Sequence, residues 1–428
     1  MPLTLSRRNF LASSSALLAA TALPGMSALA QESRLRLMFW GGQARADRTY
    51  AVTDLYTGEH PGTAFDGEFL GWNDYWPKVA TLTAGGNPPD IIQMDYRYIG
   101  EYARRGTLAP LDEFVGNGLD LETFDADQLT NGTVDGKLTG ISLGVAAGAT
   151  VFNAKALADA GIEIDPMAWT YDDLLTQGPK LSEATGGAMA MAMDGSGVEL
   201  LFENWLRQQG KALYADGKPA FEAADVTAWF ELWNALREAG SIIVPDEQAI
   251  DTGALETAAL VRGKAAMHFT TSNQLVAYQS LLQDPLGIAI YPATAADSKG
   301  GHYRNSSQYF AVSNSAADKQ AAVDFINFFV GNPEAAALLG VERGVPASQA
   351  MRDAVAASLD ERSQQVVQFI ADLGDIAGPV PPTPPASAGE IEVALKTKSQ
   401  EVAFGMQSPA DAGPAFFDQV ISTLGRAS

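Results

Sequence analysis

A chain of 428 residues, 46% of them hydrophobic, is long enough for two domains or one large bilobed unit, and it can bury sizeable cores, which excludes wholesale disorder. Its net charge of −23 argues against nucleic acid, whose phosphates need Lys and Arg, and against an anionic membrane surface. The absence of cysteine excludes disulfides, thiolate metal sites, a lipidated Cys and Cys nucleophiles together.

Residues 1–30 read as a leader. Ser6-Arg7-Arg8-Asn9-Phe10-Leu11 is a twin-arginine pattern, Leu11 to Leu23 is mildly apolar, and Ala28-Leu29-Ala30 fits a cleavage site. An ordinary Sec signal containing two arginines is the plainer alternative. The Phe-Leu after the pair and the Ser13-Ser14-Ser15 start favour the twin-arginine route, and with it a periplasmic location. The apolar stretch is too short and too rich in Ser and Ala to span a membrane.

Leu35, Leu37 and Phe39 alternate into Trp40-Gly41-Gly42, a strand with a glycine-rich exit. A helix around Asp47 to Tyr56 and a strand near Phe65 to Phe69 complete a βαβ beginning. Trp72, Trp76, Val79 and Leu82 then recur at helical spacing, and Gly85-Gly86 stops the helix. Asn87-Pro88-Pro89 turns the chain into a short apolar strand, Asp90 to Met94. Asp95-Tyr96-Arg97 falls at that strand's carboxyl end, where open α/β sheets place ligands. Further strands are expected at Leu138 to Leu143, Thr150 to Phe152, Ala265 to Phe269, Gly287 to Tyr291 and Tyr309 to Val312. Helices are expected at Ala154 to Ala160, Tyr171 to Ala184 (capped by Thr170), Glu199 to Gln209, Ala224 to Ala239 and Ala316 to Val330. From Pro333 onward the pattern is helical, broken by the stiff polyproline-like segment GPVPPTPP, Gly378 to Pro385.

The segment from Trp72 to Leu111 resembles the extracytoplasmic solute-binding proteins of bacterial ABC transporters, in particular the carbohydrate-binding family 1. There a helix, a G-x-x-PD turn and a strand precede a helix ending in Y-x-x-x-G-x-L-x-x-L; here those residues are Gly86, Pro89-Asp90, Tyr102, Gly106, Leu108 and Leu111. Gly136-Lys137-Leu138 through Phe152-Asn153 is similar to the family's first interlobe crossing, with Leu143-Gly144 in place of the usual Pro and Phe152 for Tyr. Gly263-Lys264-Ala265-Ala266-Met267 matches its most specific short motif. Gly287 to Pro292 resembles a second crossing, and Leu339 to Ser348 a third.

The resemblance covers residues 34 to 425. It implies an α/β, two-lobed periplasmic-binding-protein fold with three interlobe crossings and a helical C-terminal region. Lobe 1 would take residues 31–145 plus 293–340, and lobe 2 residues 146–292 plus 341–428. It also implies a monomer that holds a carbohydrate between its lobes and delivers it to ABC transporter permease subunits, without chemistry and without a cofactor.

The residues themselves show no G-x-S-x-G, H-E-x-x-H, Walker A or G-x-G-x-x-G pattern. Three histidines, His60, His268 and His302, are too scattered for a zinc site. His268, on the strand of the GKAAM motif, reads as a packed core residue or a ligand hydrogen-bonder. Among 51 acids, pairs such as Asp172-Asp173 read as solvated surface. An exported carbohydrate-active enzyme is the competing reading and needs two carboxylates facing a cleft.

Sugar hydroxyls call for planar hydrogen-bonding side chains and an aromatic face. The strand exits offer Trp40, Gln43 and Arg45, then Asp95 and Tyr96, then Thr271 and Asn273, with Arg304 and Asn305 before the Tyr309 strand and Arg343 at the third crossing. Trp72 divides evenly between cleft rim and core, and Trp205 is a further cleft candidate. Core packing is the commoner fate of an aromatic and is expected for Trp76, Trp229 and Trp233. Many members of the resembled family carry a G-x-W after GKAAM whose tryptophan stacks on the sugar. Thr271-Ser272-Asn273 stands here instead, so stacking must come from elsewhere. Arg45, Arg304 and Arg343 raise an acidic sugar as the ligand.

Overall fold

A computed structural model describes residues 33–427 apart from 296, 297, 299, 300 and 386, so the expected leader lies outside the described residues. Nine strands build the two larger sheets: β1 Ser33–Trp40, β2 Thr63–Leu70, β3 Ile91–Met94, β4 Ile141–Ser142, β5 Gly148–Asn153, β6 Ala190–Ala192, β7 Ala265–Thr271, β8 Leu286–Ala289 and β9 Tyr309–Val312. Each sheet is the centre of one lobe.

In the first lobe the strand order is β2-β1-β3-β9-β4, with β1 parallel to both neighbours and β9 antiparallel to β3 and β4. The pleat of β1 sends Leu35, Leu37 and Phe39 to one face and Met38 and Trp40 to the other. Helix α1 (Gln43–Glu59) and the Lys319–Gly331 helix cover the first face. Helices α2 (Trp72–Ala84) and α3 (Tyr96–Arg104) cover the second. Because both faces are buried, β3 is mostly apolar, its Ile91, Ile92 and Met94 fully buried, and its one polar residue, Gln93, is equally buried and hydrogen-bonded.

The second lobe has the order β8-β5-β7-β6. Its core is aromatic: Trp229 and Trp233 meet edge to face at 5.4 Å, and Trp233 lies 5.8 Å from Phe269. The C-terminal helices Ala388–Ala403 and Pro409–Ala427 pack on the Ala223–Glu238 helix of this lobe. A Cβ at Gly413 would run into the Thr227 side chain and backbone, so this close crossing requires glycine.

Most expected elements are present, and Thr170 begins the Tyr171–Ala184 helix with a capping box completed by Asp173. Two differences have physical causes. The strand expected over Leu138 to Leu143 is split, because Thr139 and Gly140 both turn their amides to the Gly132 carbonyl. Strand β6 was not expected, since its Ala-Met-Ala run has no β-branched residue; parallel pairing with β7 (Ala265 beside Ala190, Met267 beside Ala192) supplies what local propensity lacks.

Between the sheets the described chain runs through 143–147, then 290–295 and 301–308, and residues 340–348 pack at the same junction. Val145 exchanges backbone hydrogen bonds with Val345 at 2.6 and 2.9 Å, and Val145–Ala146 pairs with Asn305–Ser306. At this junction Arg45 forms a buried ion pair with Glu342 at 2.8 Å. Although burial raises the Glu342 carboxyl, Arg45 brings it below the usual carboxylate range. The next residue, Arg343, donates to Gln93 Oε1 at 2.5 Å and Thr49 Oγ1 at 2.8 Å, its guanidinium 5.5 Å from the rings of Phe39, Phe310 and Phe329. Glu342→Gln leaves Arg45 buried opposite a neutral partner and is expected to cost about 3 to 5 kcal/mol. Urea unfolding checks this, and an unchanged midpoint would show that the pair does not hold the junction.

Candidate ligand-binding site

A cavity of about 460 Å³ lies between the two lobes, within the range of roughly 300–1,000 Å³ typical of small-molecule sites. Trp40, Trp72, Asp95, Arg97 and Tyr98 line it from the first lobe; Glu199, His268, Thr271, Asn273, Tyr291 and Glu392 line it from the second. A side cavity of about 70 Å³ shares Asp95, Arg97, Glu199, Thr271 and Tyr291, and adds Tyr96, Glu203, Tyr214, Tyr303 and Asn305.

The first wall follows from how α3 starts. Asp95 leaves β3 and caps that helix, its Oδ1 accepting from the Arg97 amide at 2.9 Å. The same oxygen accepts from Arg97 Nε at 2.9 Å, while Arg97 Nη1 pairs across the cleft with Glu392. Burial pulls the Arg97 guanidinium down, but Asp95 and then Glu392 raise it above its ordinary value, so it stays charged. Trp72, half-buried at the start of α2, lies 5.3 Å from that guanidinium, and Trp40 meets Trp72 edge to face at 5.2 Å. Behind them Trp76 stacks on Tyr98 at 3.8 Å. Tyr96 donates its hydroxyl toward the carbonyls of Pro381 and Pro382, at 2.5 and 2.6 Å. Asn73 reaches the Thr252 carbonyl at the opposite rim. The lobes thus touch on both sides of the cavity, and the arrangement is closed.

In the second wall, Glu199 begins the Glu199–Gln208 helix, is 6% exposed, and its Oε1 makes no well-directed hydrogen bond among the described residues, although the Tyr214 hydroxyl lies beside it. Burial, then Glu392, pushes its carboxyl well above the ordinary range, against the pull of Arg97. One turn on, Glu203 accepts from the Tyr303 hydroxyl at 2.8 Å, and burial raises it too. His268 on β7 has no partner for Nδ1 among the described residues, and burial holds it down at about 4 against Asp251. Nε2 of His302 accepts from the Tyr291 amide at 3.2 Å, and burial holds it at about 4 as well. Thr271 donates to Asn273 Oδ1 at 2.9 Å, and Asn273 donates to the Glu342 carbonyl at 3.3 Å.

Residues 42–336 match the family described as bacterial extracellular solute-binding protein. The chain belongs to that family. It is 28% identical, with a TM-score of 0.67, to an extracellular solute-binding protein family 1 member from Alicyclobacillus acidocaldarius, covering 91% of this chain and 98% of that one. A periplasmic oligogalacturonide binding protein from Yersinia enterocolitica, solved with saturated digalacturonic acid, shares the fold at a TM-score of 0.81 and 24% identity, covering 92% and 100%. The diacetylchitobiose binding protein of Streptomyces coelicolor is 33% identical over 116 residues, 26% of this chain and 27% of that one. The chain spans about a third of the length of the curated relatives it matches first, 35% at 25% identity. The family is one of solute-binding proteins, not enzymes.

In this solute-binding protein the structure brings Trp40, Arg45, Trp72, Asp95, Thr271 and Asn273 to the main cavity, and Tyr96 and Asn305 to the side cavity. The Arg45 guanidinium is nevertheless committed to Glu342 and to the Trp40 carbonyl. Gln43 is exposed and donates along its own helix to Asp47 at 2.7 Å. Trp205 packs in the second core, 5.6 Å from Trp229. Arg304 pairs with Asp125 at 2.6 Å and Asp127 at 3.7 Å, and Arg343 is buried among rings of the first lobe. All three arginines that raised an acidic ligand are therefore held by protein groups. Sequence reasoning placed Arg97 at a strand exit without counting it among the ligand candidates, and passed over Tyr98, Glu199, Tyr291 and Glu392. Arg97 carried a signal, two residues from Asp95 at a strand exit. Glu392 carried none, being one of 51 acids on a distant helix.

His302 sets a pH dependence. Its value of about 4 lies below the ordinary 6.5, so the stability gained by keeping it neutral is whole above pH 6.5 and is lost as pH falls toward 4. The loss should reach about 3 kcal/mol. Urea midpoints measured from pH 7 to 4 should fall less steeply in His302→Gln; an identical slope in the variant would remove His302 as the cause.

Proposed function

We propose that this chain is the substrate-binding component of a carbohydrate ABC importer, exported through its twin-arginine leader and working as a monomer. The observation that carries the reading is the cavity itself: a closed space between two lobes, with the aromatic faces of Trp40 and Trp72 on one side and Thr271, Asn273, His268 and Tyr291 as polar groups on the other. Rings suit the C–H faces of a sugar, and buried polar groups suit its hydroxyls. The local likeness to a diacetylchitobiose binding protein points to the same class of ligand.

The mechanism is capture and delivery. A ligand touching both walls stabilises the closed form in proportion to its preference for that form. Opening would turn about 143–147, 290–295 with 301–308, and 340–348, three crossings in all, with residues 31–145 and 293–340 moving against 146–292 and 341–428. The membrane permease would receive the closed, loaded form. Release follows when docking favours the open form again.

Thermal unfolding against neutral mono- and oligosaccharides tests this. A ligand at a hundredfold excess over its Kd should add about 2.7 kcal/mol of stability. Conversion of a sugar to product would favour the enzyme reading instead, and a flat response to every sugar would remove carbohydrate as the ligand. Trp72→Ala should weaken a bound sugar by about tenfold or more, about 1.4 kcal/mol, in calorimetric titration. Equal affinity in parent and variant would exclude Trp72 as the stacking face. Arg97→Met removes the bond to Glu392 across the cleft and should enlarge the ligand-free radius of gyration in small-angle scattering; an unchanged radius would mean that the pair does not help to hold the lobes together.

A further inference from the structure

Resting on the reading of this cavity as the sugar site, we propose that Glu199 selects a protonated amine, so that the favoured ligand is an amino sugar in preference to a neutral or an acidic one. Glu199 faces both cavities, is 6% exposed, and its Oε1 makes no well-directed hydrogen bond among the described residues, with the Tyr214 hydroxyl beside it and equally without a well-directed bond. A buried carboxyl in that condition is costly until a ligand meets the open oxygen.

The surrounding charges say which donor. Among the groups lining the main cavity, Arg45 is answered by Glu342 and Asp194 by Arg237, each at 2.8 Å. What remains is Asp95, Asp251 and Glu392, with the buried Glu199 carboxyl beside them, against Arg97 and the exposed Lys396 at the rim. Arg97 already sits between Asp95 and Glu392. From the other side, Glu203 on the same helix and Tyr214 also face Glu199. A carboxylate ligand entering this field meets like charge. A hydroxyl could satisfy Oε1 but leaves the excess negative charge unanswered. An ammonium does both.

The two kinds of donor differ in a measurable way. In the empty site burial and Glu392 favour the protonated Glu199 carboxyl. An ammonium docking beside it returns it to carboxylate, so the carboxyl O–H bond breaks and its proton passes to solvent as the complex forms. A hydroxyl leaves the carboxyl as it was.

Calorimetric titration at pH 7 in two buffers of different ionisation enthalpy separates these cases. The probes are glucosamine, galactosamine and mannosamine, their neutral parent sugars, glucuronate, and 1,4-diaminobutane. At least one amino sugar should bind about tenfold or more tighter than its parent and release a proton into the buffer. Glu199→Gln should lose both the preference and the proton release, and a far-ultraviolet circular dichroism spectrum like the parent's shows that the variant is folded. Neutral sugar or glucuronate binding as tightly as the amine, or a preference intact in Glu199→Gln, overturns the proposal and leaves the sugar-receptor reading standing. Binding of 1,4-diaminobutane with proton release, and of no sugar, supports Glu199 as the amine site and overturns the sugar reading. Binding of none of these probes overturns both.

Discussion

A buried guanidinium–carboxylate contact where the lobes join is the constraint on which the rest of this molecule depends. Arg45 comes from the first helix of one lobe, and Glu342 lies on the segment returning between the lobes. Taking both charges out of water is favourable only if their geometry is maintained, so the pair fixes the position of the junction. Arg343 extends the constraint by tying that segment to Gln93 and Thr49 inside the first lobe, while its carbonyl accepts from Gln308 at 3.2 Å. Asn273 ties the same segment to the second lobe through the Glu342 carbonyl. Both walls of the cavity are therefore referenced to two consecutive residues.

This arrangement explains why arginines that look available for a ligand are not. A guanidinium has five donors in a rigid fork, which makes it equally fit for recognising a carboxylate ligand and for fastening backbone and side chains together. In Arg45, Arg304 and Arg343 the second use prevails. The guanidinium of Arg97, which also lines the cleft, lies between carboxylates of both lobes and under a tryptophan. It joins the lobes as much as it faces a ligand, and it leaves the cavity with an excess of negative charge.

The elements were legible where local physics decides them. Alternation in β1, the glycine stop and proline turn before β3, and the Thr170 capping box all act within a few residues. Strand β6 was not legible, because an Ala-Met run becomes a strand only when β7 offers it a partner. The site divides in the same way. Asp95 was legible as a residue at a strand exit, and its role as a helix cap follows from the backbone it begins. Trp205 was not, since the helical spacing that puts it on an apolar face does not say whether that face meets a cleft or Trp229.

By itself, then, the sequence determined the class of the chain: an α/β solute-binding protein, through short motifs whose order along the chain reflects contacts near in sequence. Only the tertiary structure decided which polar side chains are free to meet a solute. Glu199 and Glu392 stand 193 positions apart in the chain and face one space, while Arg343 is withdrawn from that space by residues some 250 and 294 positions away. Pairing between distant charges depends on distances of a few ångströms that no local pattern encodes, because Coulomb and hydrogen-bond energies fall off in space and not along the chain.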